Sequence, residues 1–341
     1  MNHNKDVVVI AEAGVNHNGD IEMARQLVRV AADAGADFVK FQTFTADALV
    51  SRNAQKAAYQ MSHDSADKFQ YKMLKDLELS AEQHRILMEE CRLSGIGFLS
   101  SAFDLNSLEY LNSLSLRYLK IPSGELTNLI YLRKAGSFNQ HVLLSSGMCT
   151  MKEIEDAISI LVQYGTAREQ ITLLHCNTAY PTPFEDVNLL AIPAMRNHFQ
   201  LPVGYSDHTP GIEVAVAAVA LGASVIEKHF TLNANLPGPD HKASLEPAEL
   251  AAMIKSIRNI EKALGAAEKK PSSSELHNIT IARKSMHLFS DVAAGHIISE
   301  ADIIMKRPGD GISPMELDHV IGRRFKKALE ANHKLQYDDF E

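Results

Sequence analysis

Apolar residues along this chain recur at two spacings that take turns. Short β-branched or apolar runs occupy residues 8–14, 37–43, 96–103, 118–124, 141–148, 171–177, 201–208 and 223–231, eight in all. Between them, apolar positions repeat every three or four residues, as in "IEMARQLVRVAADAG" (21–35), "SAEQHRILMEECRLSG" (80–95), "TMKEIEDAISILVQYG" (150–165) and "GIEVAVAAVALGA" (211–223). The first spacing predicts strands and the second amphipathic helices, each closing near a glycine as a helix C-terminus prefers. Ser80 followed by Gln83, and Thr150 followed by Glu153, predict capping boxes at two helix starts.

Eight alternating units predict an α/β fold, a closed (β/α)₈ TIM barrel over residues 1–266 whose last helix is "EPAELAAMIKSIRNIEKALG" (246–265). A doubly wound sheet usually stops at five or six strands, and no glycine-rich nucleotide loop follows any run. Residues 267–282, rich in lysine and serine with one proline, predict a linker. A small C-terminal domain follows over 283–341, with strand candidates "KSMHLFS" and "IIMKRP". A unit of that size is near the lower limit for independent folding and is expected to lean on another surface, in its own chain or a partner's.

With 341 residues, 45% of them hydrophobic, the chain can bury a large core. No apolar run approaches the about 18 residues that span a bilayer, and the opening "MNHNKDVVVIAEAG" is too short in apolar length for a secretion signal, so a cytoplasmic location is expected. A formal charge of −8 argues against nucleic acid or an anionic membrane as partner. An anionic small substrate then requires a local cluster of cations. Cys91, Cys149 and Cys176 match no zinc or disulfide framework and are expected to be buried thiols.

In a barrel of this type the chemistry sits at the C-terminal ends of the strands. Polar residues gather there, among them Glu12, Lys40, Gln42, Ser101, Lys120, Ser123, Ser145, Tyr180, Ser206, Asp207, His208, Glu227 and His229. Lys40 and Lys120 on interior strands suit a phosphate or carboxylate, and a Schiff base on one of them is the competing reading. His208 and His229 end adjacent strands, so their rings can converge on one ion, with Glu12 or Asp207 completing or steadying the shell. Imidazole and oxygen ligands suit Mn²⁺ or Mg²⁺, with Zn²⁺ or Co²⁺ also admissible. Asp240, in "NLPGPDHKAS", is either part of a turn or an acceptor for a polyhydroxy substrate. Tyr180 and Phe103 are either structural or pocket walls.

The ordered motifs "IAEAGVNHNG", "KFQTF", "LKIPSGE", "LLSSGM", "LLHCNTAYPTP", "GYSDHT", "IEKHFT", "GPDHKAS" and "KRPGDGIS" span nearly the whole chain. Through them the sequence resembles the sialic acid synthase family, which condenses phosphoenolpyruvate with an N-acylated mannosamine-type sugar. The tail resembles the small antifreeze-like (SAF) domain of that family, which reaches the barrel mouth of the other subunit in a domain-swapped homodimer. The resemblance implies His208 and His229 as ligands of a divalent metal, Mn²⁺ foremost, with Mg²⁺ or Co²⁺ as substitutes. It implies Lys40, Lys120, Ser101, Ser123, Ser145 and Ser206 around phosphoenolpyruvate. It implies Gln42, Tyr180, Asp240 and Arg307 on the sugar, with Glu12 beside the reacting carbons. Where many relatives carry an asparagine against the phosphoenolpyruvate carboxylate, this chain has Thr178.

"KFQTF", "LKIPSGE" and "EKHFTL" look most like the subgroup acting on 2,4-diacetamido-2,4,6-trideoxymannose to give N,N′-diacetyllegionaminate. N-acetylneuraminate and pseudaminate synthases are the alternatives within the family. A Schiff-base aldolase and a non-enzymatic sugar-binding protein are the alternatives outside it.

Overall fold

The structure, a computed structural model, describes residues 6–55 and 69–341. Two compact units divide it, Met1–Gly265 and Ala266–Glu341.

The first unit is a closed parallel barrel of eight strands in sequence order. They are β1 (Val8–Gly14), β2 (Phe38–Thr43), β3 (Gly97–Ala102), β4 (Leu119–Ile121), β5 (Val142–Ser145), β6 (Ile171–Cys176), β7 (Val203–Asp207) and β8 (Val225–His229). Every predicted strand forms. Both predicted capping boxes also form, at Ser80 and Thr150. The outward faces of the strands pack against the helices in one large apolar layer that includes Val9, Val39, Leu119, Leu173 and Ile226.

Side chains alternate between the two faces of a strand, and here the inner face changes character along its length. Ile10, Phe38, Leu99, Leu143, Leu174 and Val225 form an apolar plug inside the barrel. Two residues further along the same strands stand Glu12, Lys40, Ser101, Ser145, Cys176 and Glu227, and every one of them lines the cavity at the mouth. A dry floor therefore lies directly beneath the polar layer. Only glycine fits at position 204 of β7, because an added Cβ would lie 2.5 Å from Val225 O and 2.7 Å from Leu174 Cδ2.

The same alternation turns Asp207 and Lys228 outward. Lys228 Nζ lies 2.7 Å from Asp207 Oδ2, with both side chains at 0% exposure, and also donates to Thr209 O at 2.5 Å. Asp207 Oδ1 accepts from the Thr209 backbone N–H at 2.9 Å and its hydroxyl at 2.7 Å. Asp207 is thus consumed in the barrel wall and does not complete a shell around His208.

The second unit has its own core, built from Met286, Leu288, Ile298, Ile312, Val320, Phe325, Leu335 and Phe340. Its two-stranded antiparallel sheet pairs β9 (Ser285–Leu288) with β10 (Ile303–Lys306), at the positions of both strand candidates. The segment read as a linker contains a helix at Ser273–Ala282, started where the Glu275 carboxylate accepts from the Ser272 N–H and hydroxyl, both at 2.8 Å. Composition alone hid this helix, because its cap serines read as linker. No helix among the described residues is long and apolar enough to cross a membrane.

Removing one partner of a buried ion pair strands the other, at a cost of about 3–5 kcal/mol. Asp207→Ala is accordingly expected to lower the urea midpoint for barrel unfolding sharply, while Asp207→Ala with Lys228→Met recovers part of the loss. Equal midpoints for wild type and Asp207→Ala would show that the pair contributes nothing.

Candidate active site

A cavity of about 300 Å³ opens at the C-terminal ends of the strands. It brings together Glu12, Lys40, Gln42, Ser101, Phe103, Lys120, Ser123, Ser145, Thr178, Tyr180, Ser206, His208 and His229, all singled out by sequence. Asp240 and Arg307 are not among its lining residues. Asp240 lies buried in the loop after β8, where burial pushes its carboxyl up to about 6. Its backbone oxygen accepts from Ser244 Oγ at 2.7 Å, and Ser244 Oγ in turn accepts from Asn16 Nδ2 at 2.9 Å, which ties this loop to the one after β1. Arg307 belongs to the second unit, where its Nε donates to Ala282 O at 3.0 Å.

The floor of the cavity is a buried charge cluster. Lys40 Nζ lies 2.8 Å from Glu12 Oε2 and 3.7 Å from Glu227 Oε2, and donates to Ser101 Oγ at 2.9 Å. Lys120 Nζ lies 3.5 Å from Glu227 Oε1, which also accepts from Ser206 Oγ at 3.0 Å. Burial penalises every charge here, and the partners decide the outcome. Burial opposes the Glu227 carboxylate, yet Lys120 and then Lys40 hold it down at about 2. Burial dominates at Glu12 and lifts it to about 7 despite Lys40. For Lys40 burial works downward, but Glu12 and Glu227 outweigh it and raise the ammonium above its usual value. Lys120 goes the other way: burial outweighs Glu227 and lowers it.

Glu227 is the member that sequence reasoning left without a role. It counts among the strand-end polar residues and is given nothing to do there. Counting by twos from His229 would have turned it inward, toward the lysines.

The imidazoles stand on the opposite side of the polar layer from β3. The rings of His208 and His229 are 5.4 Å apart, and Tyr180 packs against both, at 4.1 Å and 5.7 Å between centroids. His208 Nδ1 donates to Asn177 O at 2.5 Å, which leaves the lone pair on Nε2. Burial lowers His208 to about 4 and His229 well below its usual value, so both rings are neutral at pH 7. His229 Nδ1 is buried without a protein partner. Neutral rings with such lone pairs fit a metal ion. Among the described residues no group of three or more His, Cys, Asp and Glu is placed to hold one, so the remaining ligands would come from substrate and water.

The third face is a hydroxyl and amide cradle. Ser123 Oγ accepts from the Gly147 N–H at 2.9 Å and lies 3.3 Å from Cys176 Sγ. A Cβ at position 147 would lie 2.7 Å from Thr178 Cγ2, 2.9 Å from Ser123 Oγ and 3.1 Å from Cys176 Sγ, so the close approach requires glycine. Ser145 Oγ is buried with no protein partner. Cys91 and Cys176 are buried as expected, but Cys176 also lines the cavity, and Cys149 is only half-buried. Asn177 spends its side chain on the loop, accepting from the Ala179 N–H at 2.7 Å, while Thr178 lines the cavity.

A barrel with paired ammonium groups and paired neutral imidazoles at one mouth defines an enzyme for an anionic substrate. The chain belongs to the NeuB family, whose model matches residues 27–269, and a SAF domain model matches 287–341. It is 50% identical over 319 residues to the N,N′-diacetyllegionaminic acid synthase of Campylobacter jejuni, covering 94% of this chain and 96% of that one. With the N,N′-diacetyllegionaminic acid synthase of Legionella pneumophila it shares 47% identity over 335 residues, covering 98% and 94%. Among solved structures it is similar to an N-acetylneuraminic acid synthetase from Leptospira borgpetersenii in complex with citrate, at 34% identity and TM-score 0.71, covering 81% and 91%.

Glu227→Gln would keep the shape of the cluster and remove the charge that balances two buried ammonium groups. It is expected to melt below wild type at pH 7, with the deficit narrowing in millimolar inorganic phosphate as a bound anion replaces the lost charge. The same deficit with and without phosphate would contradict this account of the floor.

Proposed function

We propose that this chain condenses phosphoenolpyruvate with 2,4-diacetamido-2,4,6-trideoxymannose and water, giving N,N′-diacetyllegionaminate and phosphate. The observation that carries the reading is the convergence of Lys40, Lys120 and the two neutral imidazoles on one cavity. Near-half identity to two N,N′-diacetyllegionaminic acid synthases selects the acceptor sugar.

Lys40 and Lys120 bind the phosphate and carboxylate of the enol acid, with hydroxyls of Ser101, Ser123, Ser145 and Ser206 and with Thr178 as neutral donors. Glu227 keeps both ammonium groups oriented. Gln42 and Tyr180 hold the sugar, and Phe103 supplies an apolar contact, whereas Asp240 lies outside the cavity lining. Held by His208 and His229, a divalent ion, Mn²⁺ foremost, would supply Lewis-acid polarisation of the sugar aldehyde. C3 of phosphoenolpyruvate forms the new bond to the aldehyde carbon, and C2 becomes electron-poor. Glu12 stabilises that carbon or takes the proton of the water that adds there. Collapse of the resulting adduct breaks the C–O bond and releases phosphate. The SAF unit extends the reading to a homodimer in which Arg307 of one protomer reaches the acyl group in its partner's site. A cytoplasmic location belongs to the same reading.

Phosphate release in the presence of Mn²⁺, phosphoenolpyruvate and a panel of mannosamine derivatives tests the reading. Turnover is expected with N-acylated mannosamines and greatest with the trideoxy sugar. Trapping of a lysine by borohydride with pyruvate, and no phosphate from phosphoenolpyruvate, would replace this reading with an aldolase.

Both roles of Glu12 need the ionised carboxylate. With its acidity lowered to about 7, kcat/KM is expected to rise as pH climbs through that value and to fall off below it. Glu12→Gln should lose this limb together with most of the rate. Persistence of the limb in that variant would assign it to another group.

A further inference from the structure

The cavity is polar at its floor and apolar along one side of its rim, and this asymmetry follows two strands upward. Along β2 and the residue just beyond its end, the cavity-lining positions run Lys40, Gln42 and then Phe44, from cation to amide to hydrocarbon. At about 3.3 Å per residue, Phe44 lies roughly 13 Å along the chain from Lys40. From β3 the same step leads from Ser101 to Phe103, just past the strand's end. The Phe44 and Phe103 rings meet edge to face at 6.3 Å. Leu49, Val50 and Leu74 continue this wall, all three half-buried against the cavity, and Gln70, one helical turn before Leu74, is the polar residue that lines the cavity with them. Phe44, Leu49, Leu74 and Phe103 pack together with Val15 and Leu77 in an apolar cluster separate from the main core.

Resting on the acceptor reading above, we infer that this wall receives the C6 methyl group of a 6-deoxy sugar and makes Leu49, Val50 and Leu74 specificity-determining residues. The anionic end of the substrate pair belongs at the lysines, and the reacting carbon belongs at the imidazoles. That leaves the far end of the sugar for the rim. A methyl group there removes apolar surface from water, whereas a hydroxymethyl group would bury its hydroxyl against a mostly hydrocarbon surface. An apolar pocket rejects an added hydroxyl only moderately, by about 100-fold at most. The wall therefore sets a preference, not an absolute barrier.

The test compares two acceptors that differ only at C6, 2,4-diacetamido-2,4,6-trideoxymannose and its 6-hydroxy counterpart, by kcat/KM for phosphate release. Wild type is expected to favour the deoxy sugar by about 10- to 100-fold. Leu74→Asn should cut that ratio at least several-fold with the KM for phosphoenolpyruvate unchanged. Val50→Thr, isosteric and outside the apolar cluster, should move it in the same direction even if Leu74→Asn folds poorly. Equal losses on both sugars, or an unchanged ratio in both variants, would overturn the inference and leave the synthase reading standing. Turnover of N-acetylmannosamine but of neither diacetamido sugar would overturn the acceptor assignment itself, and this inference with it.

Discussion

Two ammonium groups sit in one buried layer of the barrel only because two carboxylates stand among them. Isolated charges buried to this extent would neutralise. Glu227 bridges toward both lysines and stays ionised, while Glu12 touches one lysine and hovers at its titration point near neutrality. The division of labour follows from position. The glutamate between two cations is a fixed counter-ion, and the glutamate at one edge is free to exchange a proton.

That arrangement depends on barrel closure more than on any single contact. Parallel strands bring inward residues to a common level, so one apolar layer can be topped by one polar layer all the way round. The apolar plug keeps water from reaching the lysines from below. Gly204 and Gly147 mark where the barrel and its mouth are drawn so tight that a methyl group would not fit. Packing density and electrostatics are therefore one design, since loosening the plug would hydrate the ions and flatten the differences among their acidities.

Most of the fold was legible because strands buried on both faces read as continuous apolar runs, set off from helices by period. Much of the site was legible because barrel chemistry gathers at strand ends. What escaped did so for physical reasons. Glu227 and Lys228 are adjacent in sequence but face opposite sides of the wall, and Asp207 faces away from the mouth although it precedes His208. Phe44, Leu49, Val50 and Leu74 carry no reactive group, so only their placement around the cavity gives them meaning. The helix at Ser273–Ala282 lay hidden in a composition that also suits a flexible tether.

Asp207, Lys228 and Thr209 are knotted together on the outer side of the wall, and His208 lies in the chain between Asp207 and Thr209. The imidazole is thus clamped from behind by groups that no reactant ever meets. A substitution in that hidden knot would therefore shift the ring on the far side of the wall without altering any residue that lines the cavity.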